Sequence, residues 1–321
     1  MSASEGDGYV GSGDISLAGA AAGALAVGHA FLAEQDNPCA GLSMQGLSLW
    51  TPGERYEWWE NKGPSEYYVP NALWLIGLGN LGQAYLWAVS LLPYADPSSI
   101  ELFFQDDDLI EEENWGTSIL VKKGRYGDLK TRIAEEWAEN CGYRSRRIDR
   151  KLDNHLRRTD YEPGIALAGL DSMEPRRLLG MPGFEYVIDT GLGASARDYD
   201  RFRLNIFDRS HDSASHFAGV EDATERNRKE IIRLPAYQEM MVSEKHGCGM
   251  AELAGKSVAV PFVSIFVTCL AVAQAIRIAS DQAPYIAISG ELRDLRSIRA
   301  VLGLISDRMV VGYTNITNKM A

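Results

Sequence analysis

The chain has 321 residues, of which 45% are hydrophobic, and it carries a formal net charge of −12 with a pI near 5.0. This length allows one large domain or two small ones, and the apolar share is ordinary for a globular protein. The acidic balance argues against nucleic acid as the main partner, because a phosphate backbone attracts basic surfaces. Basic residues do cluster between positions 144 and 158, and we interpret that cluster as a solvated face.

The cysteines and the N-terminal composition indicate the cellular compartment of the protein. The four cysteines are Cys39, Cys141, Cys248 and Cys269. None of them forms a C-x-x-C pair, so their spacing excludes a four-cysteine zinc site. The N-terminus is acidic and rich in glycine, unlike a signal peptide. Few cysteines and no export signal predict a cytoplasmic protein. The apolar run 257–279 contains polar residues and a proline, which favours a buried core helix over a membrane span.

The first part of the chain reads as an N-terminal extension. Residues 1–14 are mostly glycine, serine and acids and are predicted to be disordered, whereas residues 17–34 are rich in alanine and leucine and predict a helix. Residues 37–69 are predicted to be irregular. The tryptophans of this stretch are Trp50, Trp58 and Trp59. We expect the helix and the tryptophan-rich stretch to pack on the main domain or on a partner, with a boundary between extension (1–69) and main domain (70–321).

A glycine motif lies between two apolar runs. Residues 72–76 predict a buried strand, and a G-x-G-x-x-G begins directly after it at Gly77. Residues 84–89 favour a helix, and a second apolar run at 100–104 leads to Asp106. This order of strand, glycine turn, helix, strand and acid predicts a nucleotide-binding unit.

Each part of the motif has a physical reason. Gly77 allows the tight turn, Gly79 lets the backbone approach a phosphate, and Gly82 lets helix and strand pack closely. The N-terminus of the helix offers unpaired N–H groups to an anion. Asp106 is placed to accept from ribose hydroxyls. The glycines alone do not separate NAD, FAD and ATP.

The rest of the chain alternates strands and helices. Further helices are predicted at 129–140, 173–179 and 260–279, and further strands at 165–170, 186–189, 202–207, 285–288 and 309–313. A glycine turn is predicted at 191–193, and the polar stretch 211–230 reads as a surface loop or a crossing segment. These repeated units predict an α/β fold with a Rossmann-like, doubly wound, mainly parallel sheet.

A second set of motifs follows Asp106. The chain reads Asp106-x-Asp108-x-Ile110-x-x-x-Asn114, then Gly127-x-x-Lys130, then Asp171-Ser172-x-x-x-Arg176. This order and spacing resembles the ThiF/MoeB/E1 superfamily of ATP-dependent adenylating enzymes. The resemblance covers roughly residues 72–279.

The resemblance implies roles for the nucleotide-binding residues. Gly77, Gly79 and Gly82 would form the nucleotide turn, and Asp106 would bind the ribose. Asp108 matches the second acid of the family and would support the site or the metal.

The resemblance also implies the residues that act on the phosphates. Asn114 and Lys130 would contact them, Asp171 would hold Mg²⁺ near the α-phosphate, and Arg176 would structure the loop of Asp171. Attack of a carboxylate on an α-phosphate brings anions together, so a cation, a lysine and N–H donors are needed to neutralise the charge.

The chain departs from the family pattern at several positions. Thr117 stands where the family usually has a phosphate-binding arginine, and Ser172 where it usually has asparagine. The candidate replacements for the arginine are Lys122, Lys123 and Arg125. Arg55-Tyr56 lies about where many members carry an arginine finger for the neighbouring subunit.

Cys248 is the candidate nucleophile for a thioester. It lies in His246-Gly247-Cys248-Gly249, where the glycines predict an accessible loop and His246 could favour the thiolate. A cysteine that only packs is the alternative. Cys269 falls inside the apolar run and is expected in the core.

These features predict ATP- and Mg²⁺-dependent adenylation of the C-terminal carboxylate of a ubiquitin-like or sulfur-carrier protein, with transfer to Cys248 as an open second step. The resemblance also implies an E2-like or other acceptor protein and a homo- or heterodimer. One alternative is a catalytically degenerate E1-like scaffold subunit. Another is an NAD(P)-dependent oxidoreductase, which would explain the glycines and Asp106 but not Asn114, Lys130 or Asp171.

Overall fold

The computed structural model describes residues 16–41, 44–54, 58–60, 63–64, 66–193, 195, 198–220, 260–304 and 313–317. The helices of this part are α1 (Ser16–Glu34), α2 (Asn80–Ser90), α3 (Asn114–Thr117), α4 (Lys130–Asn140), α5 (Met173–Arg177), α6 (Ser213–His216) and α7 (Pro261–Ala279). The strands are β1 (Glu66–Pro70), β2 (Ala72–Ile76), β3 (Glu101–Gln105), β4 (Arg144–Ile148), β5 (Ile165–Ala168), β6 (Tyr186–Leu192), β7 (Arg201–Phe207), β8 (Tyr285–Glu291), β9 (Asp294–Leu302) and β10 (Tyr313–Thr317).

The main sheet has eight strands in the order β4-β3-β2-β5-β6-β7-β8-β9. The first five run parallel to one another, and β7, β8 and β9 continue the sheet by antiparallel pairing. From β2 the chain moves through β3 to β4 on one side and then returns to β5 on the other. The carboxyl end of β2 is therefore the topological switch point, where open α/β sheets bind their ligands.

The central strands are apolar because both faces of the sheet are covered. Leu73 and Leu75 of β2 belong to the larger core cluster with α2 and α7, whereas Trp74 and Ile76 belong to a second cluster on the opposite face. The predicted α/β fold with a mainly parallel sheet is confirmed, and three antiparallel strands, β7, β8 and β9, extend that sheet.

Helix α7 lies in the core, as the sequence predicts. It begins with Pro261 at its first turn, where a missing N–H is tolerated. Its most apolar stretch is long enough to cross a membrane, but 83% of that stretch is buried within the protein.

Helix α1 packs on α7 and adds Leu17, Ala21 and Ala24 to the larger core cluster. It also passes the length and apolarity test for a membrane span, with 28% of the stretch buried. The division of the chain at residue 69 stays a prediction.

Several predicted elements were wrong in detail. Gly191 and Leu192 continue β6 instead of forming a turn, because they pair with Arg203 and Phe202 of β7. Residues 66–69 are not irregular; they belong to β1, whose partner β10 is remote in sequence. Strands β4 and β9 were not predicted. The predicted disordered start, residues 221–230 of the polar stretch, Arg55-Tyr56, His246, Cys248 and residues 309–312 lie outside the described residues.

Candidate nucleotide site

The glycine turn joins β2 to α2 at the switch point. Gly77 has a φ of +78°, and a Cβ there would lie 2.9 Å from the carbonyl oxygen of Gly169. A Cβ on Gly82 would collide with the carbonyl oxygen of Gly77. At Gly79, by contrast, an added Cβ would meet no described atom within 4 Å. Gly77 and Gly82 thus serve packing, and Gly79 borders open space where a ligand can approach.

These two glycine environments lead to opposite expectations for alanine substitutions. Gly82→Ala is expected to lower the free energy of unfolding by about 1–3 kcal/mol, since the backbone must shift to admit the methyl group. Gly79→Ala is expected to keep the melting temperature but to raise the Kd for ATP about tenfold, or about 1.4 kcal/mol. Calorimetry of both variants, with and without ATP, measures the two effects. Equal loss of stability in both variants would contradict the assignment.

Asp106 ties the glycine turn to the end of β3. One carboxylate oxygen accepts from the backbone N–H of Leu78 at 2.5 Å, and the other accepts from that of Asp108 at 2.7 Å. Burial raises the pKa of Asp106, and the Lys130 ammonium and these two N–H groups oppose that rise. A carboxylate has about four acceptor positions, so Asp106 can still accept from ribose hydroxyls.

The G-x-x-K motif closes the loop that follows β3. Gly127 has a φ of +90°, which reverses the chain so that its N–H donates to the carbonyl of Ile110 at 2.8 Å. Leu109 and Leu129 then form an antiparallel bridge. The reversal brings Lys130, at the start of α4, back to the acids at the end of β3.

Lys130 is held on Asp108 by two contacts. Its backbone N–H donates to the Asp108 carbonyl at 3.0 Å, and its Nζ lies 2.7 Å from the Asp108 carboxylate. The Lys130 side chain is 12% exposed and that of Asp108 is 57% exposed. An ammonium fixed on an exposed carboxylate has further N–H donors for an anion.

Asn114 begins the short helix α3 within the same loop. Its side-chain oxygen accepts from the backbone N–H of Glu111 at 2.8 Å, and the amide nitrogen carries two donors that suit a phosphate. Thr117, three residues later, donates from Oγ1 to the carbonyl of Glu113 at 3.1 Å.

Two of the candidate replacements for the arginine missing at Thr117, Arg125 and Lys123, have different contacts in the structure. Arg125 donates to Asp128 at 2.5 Å and to both carboxylate oxygens of Glu136 at 2.7 and 3.0 Å, so its guanidinium is already bound by acids. Lys123 instead places its Nζ 4.3 Å from the ring centroid of Trp115, the residue after Asn114. A cation held over an aromatic face keeps its N–H donors.

Asp171 and Arg176 follow β5, which borders β2 on the side opposite β3. Asp171 follows β5 and is exposed, and Arg176 reaches back from α5 to donate to the Leu170 carbonyl at 2.6 and 3.2 Å. Because β3 and β5 lie on either side of β2 and run parallel to it, Asp106, Asp108 and Asp171 all follow the carboxyl ends of strands at the switch point.

This set of acids suits Mg²⁺, which prefers carboxylate oxygens and water. The carboxylates of Asp106, Asp107 and Asp108 have oxygens within 4.8 Å of one another, and Asp171 adds an exposed carboxylate after β5.

Sequence reasoning missed Gln83 as a link between the turn and the loop. Its side chain is buried, donates to the Leu78 carbonyl at 3.1 Å and accepts from the N–H of Leu120 at 3.1 Å. A glutamine in an otherwise apolar helix face, directly after a glycine motif, is the signal that could have found it.

The described cysteines differ in exposure. Cys269 is buried in α7, and burial raises the pKa of its thiol to about 12. Burial also raises the pKa of Cys141, whereas Cys39 is exposed. A buried thiol with a raised pKa is a poor nucleophile, so Cys269 does not compete with Cys248 for a thioester role.

The sheet order and the placement of the motifs put this chain in the ThiF/MoeB/E1-like class. A family model described as the BilD C-terminal domain matches residues 69–282, and the chain belongs to this family. It is 32% identical over 285 residues to the "Bacterial E1-like protein BilD" of Collimonas sp. (strain OK412). That alignment covers 88% of this chain and 61% of the relative, so the chain spans about three fifths of the relative's length.

Solved structures share the fold at low sequence identity. A structure of E. coli MccB with MccA-N7isoASN covers 75% of this chain and 67% of its own, with 13% identity and a TM-score of 0.50. A structure of E. coli MccB with ATP covers 75% of this chain and 66% of its own, with 14% identity and a TM-score of 0.47.

Proposed function

We propose that this protein adenylates the C-terminal carboxylate of a ubiquitin-like or sulfur-carrier protein, using ATP and Mg²⁺. The observation that carries the proposal is the Lys130 ammonium fixed 2.7 Å from Asp108, next to a glycine turn that Asp106 holds in place. A dinucleotide-binding dehydrogenase has no need for such a lysine. The name of the 32% identical relative, an E1-like protein, supports the same class.

Each residue of the site has its own role in the proposed reaction. The space beside Gly79 and the N-terminus of α2, which has no side-chain cap hydrogen bond, would receive phosphate oxygens. Asp106 would accept from the ribose, while Lys130 and Asn114 would donate to the phosphates. Mg²⁺, held by Asp171 with Asp108 in support, would neutralise charge on the phosphate oxygens.

In the reaction, a carboxylate oxygen of the partner's C-terminus attacks the α-phosphorus of ATP. The bond between that phosphorus and the oxygen bridging to the β-phosphate breaks, and pyrophosphate leaves with the electron pair. The product is an acyl-adenylate, in which the partner's carboxylate is linked to AMP. Fixed donors from Lys130 and Asn114 would stabilise the charge that accumulates on the phosphates.

The proposal extends to later steps and to partners. We include transfer of the activated acyl group to Cys248, an E2-like or other acceptor, a homo- or heterodimer and a cytoplasmic location. The support for Cys248 is its glycine-flanked sequence together with the burial of Cys269.

We further propose that Lys123 supplies the phosphate cation in place of the arginine missing at Thr117. Lys123→Ala is expected to raise the KM for ATP at least about tenfold, or about 1.4 kcal/mol, since a charge-assisted hydrogen bond is worth about 1.5–3 kcal/mol. Thr117→Arg in the Lys123→Ala background is expected to restore most of the loss.

Lys122→Ala is the matched control, because it removes a neighbouring exposed lysine. Steady-state kinetics of the four proteins tests the assignment. Equal KM values for wild type and Lys123→Ala would contradict it. A wild type that binds ATP but shows no turnover would instead favour the degenerate scaffold subunit.

The nucleotide products test the proposed reaction itself. With a candidate ubiquitin-like protein and a thiol acceptor present, an adenylating enzyme releases AMP and pyrophosphate. Chromatography of the nucleotides after incubation distinguishes this from hydrolysis. ADP and inorganic phosphate as the main products would refute the proposal.

A further inference from the structure

Three consecutive residues of β6 enclose the guanidinium of Arg176. Asp189 places a carboxylate oxygen 3.6 Å from Nη1, and the carbonyl of Thr190 accepts from Nη2 at 2.9 Å. A Cβ on Gly191 would lie 2.8 Å from Nη1, so the lack of a side chain there leaves room for the guanidinium. We call Asp189, Thr190 and Gly191 the Arg176 seat.

The Arg176 seat is connected to the loop of the proposed metal ligand. The guanidinium that it encloses also donates to the Leu170 carbonyl through Nε and Nη2, at 3.2 and 2.6 Å. Leu170 directly precedes Asp171, so this pair of hydrogen bonds fixes the peptide unit that leads into Asp171. A guanidinium held at both ends transmits its own position to that loop.

The seat is also connected to the nucleotide helix. The hydroxyl of Tyr85, on α2, is buried and donates to Oγ1 of Thr190 at 2.9 Å. The same strand segment therefore contacts the helix that begins at the glycine turn and the arginine that fixes the loop of Asp171.

The buried charge of Asp189 does not stabilise the fold. It is fully buried, and neither of its oxygens has a hydrogen-bond partner that meets normal geometry among the described residues. Burial raises the pKa of Asp189 to about 6, although Arg176 and, more weakly, Asn205 oppose the rise. Because the folded protein holds this proton more tightly than the unfolded chain, stability falls as the pH rises from about 4 through 6.

We propose that the Arg176 seat, with Asp189 as its charged member, fixes Asp171 for metal binding, and that Asp189 is a positioning residue for adenylation. The inference rests on the proposed function, in which Asp171 holds Mg²⁺. Without the carboxylate, the guanidinium loses its charged partner, and the peptide unit before Asp171 loosens.

The test measures the Mg²⁺ concentration for half-maximal ATP–pyrophosphate exchange in Asp189→Asn and Gly191→Ala. The first variant removes the charge and keeps the shape; the second displaces the guanidinium and keeps the charge. Both are expected to raise that concentration about tenfold or more and to leave the Kd for ATP in EDTA within about twofold. Above pH 6 the melting temperature of Asp189→Asn is expected to equal or exceed that of the wild type.

Asp200→Asn is the control, because Asp200 is also a buried carboxylate paired with an arginine, Arg293, and contacts Leu292 rather than the loop of Asp171. Its Mg²⁺ requirement is expected to match that of the wild type. The inference would be overturned if folded Asp189→Asn and Gly191→Ala had the Mg²⁺ requirement of the wild type. It would also be overturned if their Kd for ATP in EDTA rose by as much as their Mg²⁺ requirement.

Mn²⁺ binding in the presence of a non-hydrolysable ATP analogue, followed by electron paramagnetic resonance, separates this inference from the proposed function. It needs no turnover and no partner protein. A wild type that gives no exchange would count against the proposed function. Weaker Mn²⁺ binding in both seat variants, but not in Asp200→Asn, would still support the Arg176 seat, and equal Mn²⁺ binding would overturn it.

Discussion

Asp171→Asn is expected to lower ATP–pyrophosphate exchange by about two to four orders of magnitude while the protein stays folded. The side chain is exposed after β5, and its charge is what would hold Mg²⁺ on the α-phosphate. Loss of one preorganised electrostatic contact at a developing charge commonly lowers the rate by about 10²–10³, and loss of a metal ligand can do more.

The matched control is Asp160→Asn. Asp160 is also an exposed aspartate, but it precedes β5, whereas Asp171 follows that strand. Its exchange rate is expected to stay within about threefold of the wild type, well below the effect of one lost oxyanion contact. Full exchange in folded Asp171→Asn would remove Asp171 as the metal ligand.

Lys130→Met is expected to lower the exchange rate by about 10²–10³. Methionine keeps the unbranched stem but removes the ammonium that lies on Asp108. The ion pair is partly exposed, so we expect a change in the free energy of unfolding below about 1 kcal/mol. The loss should therefore appear in catalysis and ATP binding rather than in folding.

Lys151→Met provides the comparison for Lys130→Met, since it removes another lysine near the same acids without touching α4. Rates of exchange and melting temperatures of both variants are measured side by side. If Lys130→Met retained the wild-type rate, or if both variants lost activity equally, Lys130 would have no specific role at the phosphates.

The candidate site could be predicted where short-range sequence order decides geometry. Gly77, Gly79 and Gly82 fall in one turn, and the acid at Asp106 follows the next strand, so their proximity follows from local chain order. The motif predicts that Gly82 serves packing and that Gly79 faces a ligand. The structure adds that Gly82 packs against the Gly77 carbonyl and that a Cβ on Gly79 would meet no described atom within 4 Å. That difference depends on the direction of each missing Cβ.

The sequence was less informative where tertiary pairing decides the structure. Strand β4 reads Arg-Ser-Arg-Arg-Ile, a pattern that indicates a solvated face, yet it pairs with β3 at the sheet edge. Arg146 covers the ring of Phe103 at 4.6 Å, and Arg147 lies 3.4 Å from Glu135. Arginine stems can cover apolar surface while their charge meets acids or water, so an edge strand need not look apolar.

Tertiary contacts also decide the structure at the end of β6. The sequence predicts a strand that ends at Asp189 and a glycine turn at 191–193, whereas the strand continues and encloses Arg176. Arg176 lies in α5, and no local sequence pattern indicates that its side chain will contact β6. An acid placed at the end of an apolar run was the available signal.

The measurement that tests the central claim most directly is ATP–pyrophosphate exchange by the wild type with Mg²⁺ and a panel of ubiquitin-like proteins. We expect one member of the panel to raise the exchange rate well above that of the enzyme alone. The same protein with its C-terminal carboxylate converted to an amide should give none, because the attacking oxygen is lost. Binding of ATP without exchange for any member of the panel, or exchange that persists with the amide, would contradict adenylation of a C-terminal carboxylate.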